Sequence, residues 1–144
     1  VLSAQPAHAE ARWLRGLLLQ AQGRTAEAEA AFRDILKDRP EDMRVVPALG
    51  NLLGATGRKR EAAELAAHVE RRIGRGFPNQ YGLALIYCGM GEHGKAITWL
   101  ERAAAAGDQS LLYLMVEERL RPLHSDPRVQ AIARRYGILQ TPSK

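Results

Sequence analysis

Apolar residues fall at helical spacing through most of the chain, and glycine or proline interrupts them at regular intervals. From Ala7 to about Gln22, Trp13, Leu14, Leu17 and Leu18 share one side and Leu19 widens the stripe, which predicts an amphipathic helix. Gly23 stops it, because glycine accepts the left-handed backbone that a helix end often takes. A second helix is expected to about Asp38, capped by Thr25 and burying Ala28, Ala31, Phe32 and Ile35, before Pro40 ends the unit. The third helix must start late, near Val45, or bend, because Pro47 lies in its first turns; Leu49, Leu52 and Leu53 form its apolar face. A fourth, from about Lys59 to Ile73, carries Ala62, Leu65, Ala66 and Val69. The fifth is expected to open at Phe77-Pro78, with Pro78 in the first helical position and Leu83, Ile86 and Tyr87 facing inward. Ala96, Trp99, Leu100 and Ala103 continue the pattern on a sixth.

These helices pair at a fixed interval. Gly16, Gly23 and Ala28 are followed 34 residues later by Gly50, Gly57 and Ala62, and after 34 more by Ala84, Gly91 and Ala96. A constant period of that length predicts an all-α stacked array in which no unit buries its apolar side alone. The expected segments are a linker over 1–6, helix pairs over 7–40, 41–76 and 77–108, and a tail over 109–144. In the tail the period fails. Leu112, Met115, Val116 and Leu120 predict one more amphipathic helix. Asp126-Pro127 then starts a last one through Val129, Ile132, Ala133 and Tyr136, ended by Gly137. The final pair of an array needs a cover, and this helical tail is placed to supply it.

Composition narrows the function classes. The chain of 144 residues is 46% apolar and 26% charged, ordinary for a folded domain. No apolar run reaches the roughly 18 residues of a membrane span, so no membrane partner is expected. The net charge of +5 is modest, and between Arg58 and Arg72 the basic residues are offset by Glu61, Glu64 and Glu70, as on a solvated face. Nucleic acid is therefore not an expected partner. Cys88 is the single cysteine, which excludes an internal disulfide and favours the cytoplasm, with the periplasm as the alternative. The chain begins at Val1 without a methionine and is expected to be part of a longer protein. Ala7-His8-Ala9 has the form of a signal cleavage site, yet the charged and apolar regions that should precede it are absent.

Catalytic chemistry finds little support. Gly89 to Lys95 nearly fits the phosphate-binding loop, but Ala96 replaces the metal-binding hydroxyl and no buried strand precedes it. His8, His68, His93 and His124 show no metal-ligand spacing. Cys88 reads as a small packing residue rather than a nucleophile, and Glu117-Glu118 as solvated carboxylates. No catalytic residues, metal or cofactor are expected, and the chain is read as a non-enzyme.

The residues recurring at the 34-residue interval resemble the tetratricopeptide repeat family across about Ala9 to Asp108. That resemblance implies a right-handed superhelical α-solenoid of three helix pairs plus a C-terminal capping helix pair. It also implies a concave groove lined by the first helix of each pair. The groove would present Trp13, Leu17 and Gln20, then Arg44 and Asn51, then Tyr81, Leu85 and Cys88. Aromatic and apolar anchors with a few polar groups suit a peptide or protein partner. The plain alternative is that Trp13 and Tyr81 are packing residues. A subtype that clamps a C-terminal carboxylate is not expected, because of its groove residues only Asn51 is present. The tail from Arg121 to Ile138 is similar to the ending of repeat modules in bacterial signalling proteins, which implies a regulatory context. The alternative function is a self-association scaffold, or one that packs on an upstream effector domain, driven by surface left uncovered at Trp13, Leu17 or the outer edges of the array.

Overall fold

A computed structural model describes residues 6–140 of the chain. The linker expected over 1–6 lies outside the described residues except for Pro6, which opens the first helix. Six helices follow as three pairs: α1 (Pro6–Ala21) with α2 (Thr25–Asp38), α3 (Val45–Ala55) with α4 (Lys59–Gly74), and α5 (Gln80–Gly89) with α6 (His93–Ala105). Each pair packs on the next in chain order, and no strand occurs among the described residues.

The residues at the fixed interval sit where helices cross. Ala28, Ala62, Ala84 and Ala96 have no exposed surface. Gly23, Gly57 and Gly91 make the three turns, at φ of 75°, 86° and 79°, a backbone open to glycine at no steric cost. Between α1 and α2 the Phe32 ring lies against Gly16, where a β-carbon would stand 2.4 Å from Cε1. At the α3–α5 contact the nearest atoms met at Gly54 and Gly89 are backbone. A β-carbon at Gly89 would lie 2.4 Å from the Asn51 carbonyl oxygen, and one at Gly54 would lie 2.8 Å from the Met90 nitrogen.

Two helix starts differ from expectation. Thr25 is the first residue of α2 rather than its cap; Arg24 holds the cap position and no side chain closes it. Pro78 stays outside α5, because Asn79 turns its side-chain amide to the Met43 carbonyl (2.9 Å) and the helix begins only at Gln80. Pro47 is accommodated by the late start at Val45.

The tail departs further. The helix expected through Leu112 to Leu120 is two 3-10 segments, Gln109–Tyr113 and Glu118–Leu123. Asp108 and Glu117 each cap one, accepting from the backbone nitrogens of Ser110 and Arg119. A 3-10 helix repeats every three residues, so Leu111 with Leu114, and Leu120 with Leu123, enter the core, whereas Leu112 and Val116 face solvent. The C-terminal cover is thus these segments plus one helix, α7 (Pro127–Arg135), and not a helix pair. Asp126 caps α7 through the Arg128 nitrogen (2.8 Å), with Pro127 in its first turn. The second 3-10 segment packs on α5, and α7 packs on α6.

Ion pairs lie on the outside, within the first pair and between the first and second. Arg12 of α1 reaches Asp34 (2.5 Å) and Asp38 (3.3 Å) of α2. Arg33 and Arg58 share Glu29 and Glu61 in a four-membered network between α2 and α4. Being solvated, such pairs add little to stability.

Candidate functional site

The first helices of the pairs, α1, α3 and α5, border a common hollow that the tail crosses. A cavity of about 510 Å³ is lined by Trp13, Leu17, Arg44, Tyr81 and Leu85, together with Tyr113, Val116, Glu117 and Arg119 of the tail. A second, of about 500 Å³, is lined by Leu17, Gln20, Asn51 and Cys88, again with Glu117 and Arg119. Leu17, Glu117 and Arg119 are common to both. The two cavities therefore adjoin, and all eight residues singled out from the sequence line one or the other.

Their roles divide once the hydrogen bonds are read. Gln20 donates from Nε2 to Asn51 Oδ1 (2.8 Å), and Asn51 Nδ2 donates to the Leu85 carbonyl (2.7 Å). This chain of bonds joins α1, α3 and α5. Asn51 is 4% exposed and fully engaged, so it serves as a brace. Arg44 stacks on Trp13, 5.0 Å from the ring centroid, and is paired with Glu10 and, at 3.7 Å, with Asp42. Cys88 donates its thiol to the Arg119 carbonyl (3.3 Å), and burial pushes its pKa up to about 11, so it is a neutral thiol at pH 7.

Three polar atoms in this wall are buried with no hydrogen-bond partner: Trp13 Nε1, Tyr81 Oη and Gln20 Oε1. Burial, with Glu117 adding to it, raises the Tyr81 pKa, so its hydroxyl stays protonated and able to donate. A buried group left unpaired costs about 1–3 kcal/mol. Such groups stand out in a folded protein.

The tail's contribution was not anticipated. The Glu117-Glu118 pair, expected to be solvated, splits: Glu118 is exposed, while Glu117 turns inward to Arg119 Nη2 (2.6 Å) and Nε (2.9 Å). The one sequence signal for this was an acid followed two residues later by arginine at a helix start. Burial acts against the Glu117 charge, but the hydrogen bonds and charge of Arg119 outweigh it and hold the carboxyl below its ordinary range. Its contribution to stability is therefore present at neutral pH and lost as pH falls through the lowered native value. Arg119→Met should reverse the shift and leave Glu117 above the usual carboxylate range, read by NMR titration of its side-chain carboxyl.

The near-match to a phosphate loop spans the end of α5, the Gly91 turn and the start of α6, with Lys95 over the Tyr87 ring at 5.5 Å from its centroid. Among the described residues no three His, Cys, Asp or Glu side chains converge as a metal site, and no helix is long and apolar enough to cross a membrane.

A tetratricopeptide repeat family model matches residues 1–43. No curated protein and no solved structure matches the chain. The matched stretch takes in α2 and the described part of the chain before it, so Trp13, Leu17 and Gln20 fall in the segment that resembles a tetratricopeptide repeat. Tetratricopeptide repeats generally mediate protein–protein interactions.

Proposed function

We propose that this chain is a non-enzymatic protein-interaction module, part of a larger regulator, that holds a peptide or protein segment in the hollow between α1, α3, α5 and the tail. The carrying observation is the junction of two cavities with a largely apolar lining and two unpaired donors, Trp13 Nε1 and Tyr81 Oη. An extended segment would place an apolar side chain against Leu17 and Leu85, and its backbone carbonyl would reach these buried donors only once the wall opens around them. Arg44 and Arg119 already face carboxylates of this chain, so a free carboxyl terminus is a poor fit. The regulatory context rests on the likeness of the tail to repeat modules of signalling proteins, and the coding sequence upstream of Val1 tests it.

Peptides selected from a displayed library against the intact chain provide the binding test. Trp13→Ala and Tyr81→Phe should each weaken a selected peptide by about tenfold or more, the loss expected for an anchor residue. Tyr81→Phe should also leave the fold as stable as before or more so, since it deletes a hydroxyl with no partner. Unchanged affinity in both variants, with helix content intact, rules out the hollow as the binding site.

A further inference from the structure

The second helices of successive pairs meet the charges of their neighbours differently. At the start of α4, Glu61 is paired with Arg33 of α2 and with Arg58, and further along His68 lies 3.3 Å from Glu41 in the loop after α2. One interval on, α6 carries Lys95 at the position of Glu61 and Arg102 at that of His68. The corresponding partners are missing. Ala67 stands at the position of Arg33, Ala63 at that of Glu29, and Arg75, a like charge, at that of Glu41. Among the described residues neither Lys95 nor Arg102 meets a carboxylate; each lies over an aromatic ring, Lys95 at 5.5 Å from the Tyr87 centroid and Arg102 at 4.4 Å from that of Trp99.

Those rings stand where the preceding pair has Leu53 and Leu65, and Glu70 of α4 stands where α2 has Leu36. A cavity of about 440 Å³ results, lined by Glu70, Tyr87, Lys95, Thr98, Trp99 and Arg102. It shares no residue with the hollow between α1, α3 and α5. Glu70 is the one acid of its lining. Burial first, and then the Glu70 carboxylate, raise the Tyr87 pKa, so its hydroxyl stays protonated beside that acid. The Thr98 hydroxyl is taken up by the Gly94 carbonyl (3.0 Å), which leaves the two cations as the groups without an opposite charge. Resting on rings, they have less side-chain freedom left to lose when an anion arrives.

We propose that this cavity docks an acidic segment of a partner protein, with one carboxylate on Lys95 and a second on Arg102. Charge complementarity selects the sign of the guest. Spacing selects its kind: residues seven apart on a helix are separated by about 10 Å along the axis, farther than a single phosphate or carboxylate spans. The guest therefore carries at least two acidic groups on one chain. A nucleic-acid strand fits less well, because its bases need open aromatic faces, and here the cations occupy them. The site stands apart from the binding hollow, so neither proposal depends on the other.

Titration of the intact chain with hexaglutamate, followed by NMR of the Trp99 indole and Arg102 Nε signals, gives the test. The expected result is a saturable shift of both that weakens as salt rises, with the Trp13 indole unmoved. Lys95→Gln and Arg102→Gln should each weaken binding by about two- to fivefold, and together by about tenfold, with helix content unchanged. Lys59→Gln, at an exposed cation outside the cavity, should leave the affinity as it was. Inorganic phosphate should bind more weakly than the peptide; equal affinity would make this a small-anion site and overturn the proposal. No shift up to about 10 mM hexaglutamate, well above a millimolar Kd, would do the same. So would a shift that the double variant keeps in full.

Discussion

Phe32→Ala is expected to lower the unfolding free energy by about 3–5 kcal/mol, read from chemical denaturation followed by circular dichroism. The ring has no exposed surface, and its neighbour across the α1–α2 crossing is Gly16, which has no side chain to move into the space left behind. The cost of a large-to-small change depends on how far the surroundings collapse. Here collapse would require α1 to shift bodily toward α2, since Gly16 offers no side chain to swing into the space. The upper half of the range follows. Hydrogen exchange should place the loss in α1 and α2 before the rest; uniform loss across all pairs, or a change under about 1 kcal/mol, would contradict this account of the crossing.

Gly89→Ala should destabilise by about 1–3 kcal/mol through overpacking alone. The added methyl would meet Asn51 oxygen at 2.4 Å, its Cα at 2.9 Å and its carbonyl carbon at 3.0 Å, all backbone atoms that no rotamer change can move. Opening the seam would also stretch the Asn51 bond to the Leu85 carbonyl, leaving a buried amide unpaired at a further cost of about 1–3 kcal/mol. Against this stands the better helix propensity of alanine, worth up to about 1 kcal/mol in a helix interior and less at Gly89, the last residue of α5. Overpacking prevails. Gly94→Ala is the control: outside its own stretch of helix no atom lies within 4 Å of the added carbon, so propensity acts unopposed and stability should hold or rise slightly. Equal effects from the two substitutions would mean that the α3–α5 seam is not close-packed.

The pairing of helices was legible in the sequence because its signals are local and repeated. A glycine with positive φ at 23, 57 and 91, and a small residue at each crossing, recur at one interval and reinforce one another. The side of α1, α3 and α5 that bears the candidate residues came from the resemblance to tetratricopeptide repeats, not from the period itself. What the sequence withheld came from the tail. Leu112, Met115 and Val116 fit a period of 3.6 residues well enough to predict a helix, but Asp108 and Glu117 interrupt it with two caps, and the true repeat is three. Misreading that period put Leu112 and Val116 inward, where they are exposed, while Leu120 is buried as expected. It also hid Glu117 and Arg119, the second of which meets Cys88 through its carbonyl across 31 residues of chain. The brace through Asn51 was missed for a related reason: in isolation an asparagine midway along an apolar helix reads equally as a ligand contact or a strut.

The seams between neighbouring pairs are unequal. Between α3 and α5, main chain lies on main chain with no slack. Between α1 and α3, the link runs through side-chain tips, Gln20 to Asn51 and Arg44 to Trp13, around an open hollow. Side-chain links of that sort can lengthen and re-form at little cost, whereas the first seam must either hold or break. The leading hairpin is therefore held to the stiff block, α3 to α7, by α2 packed on α3, while its α1 side is the looser mount. Local opening, which in folded chains follows the sparsest contacts, has its easiest route at that mount. An incoming guest could widen the jaws by shifting α1, at the cost of its Gln20 and Trp13 links to the block.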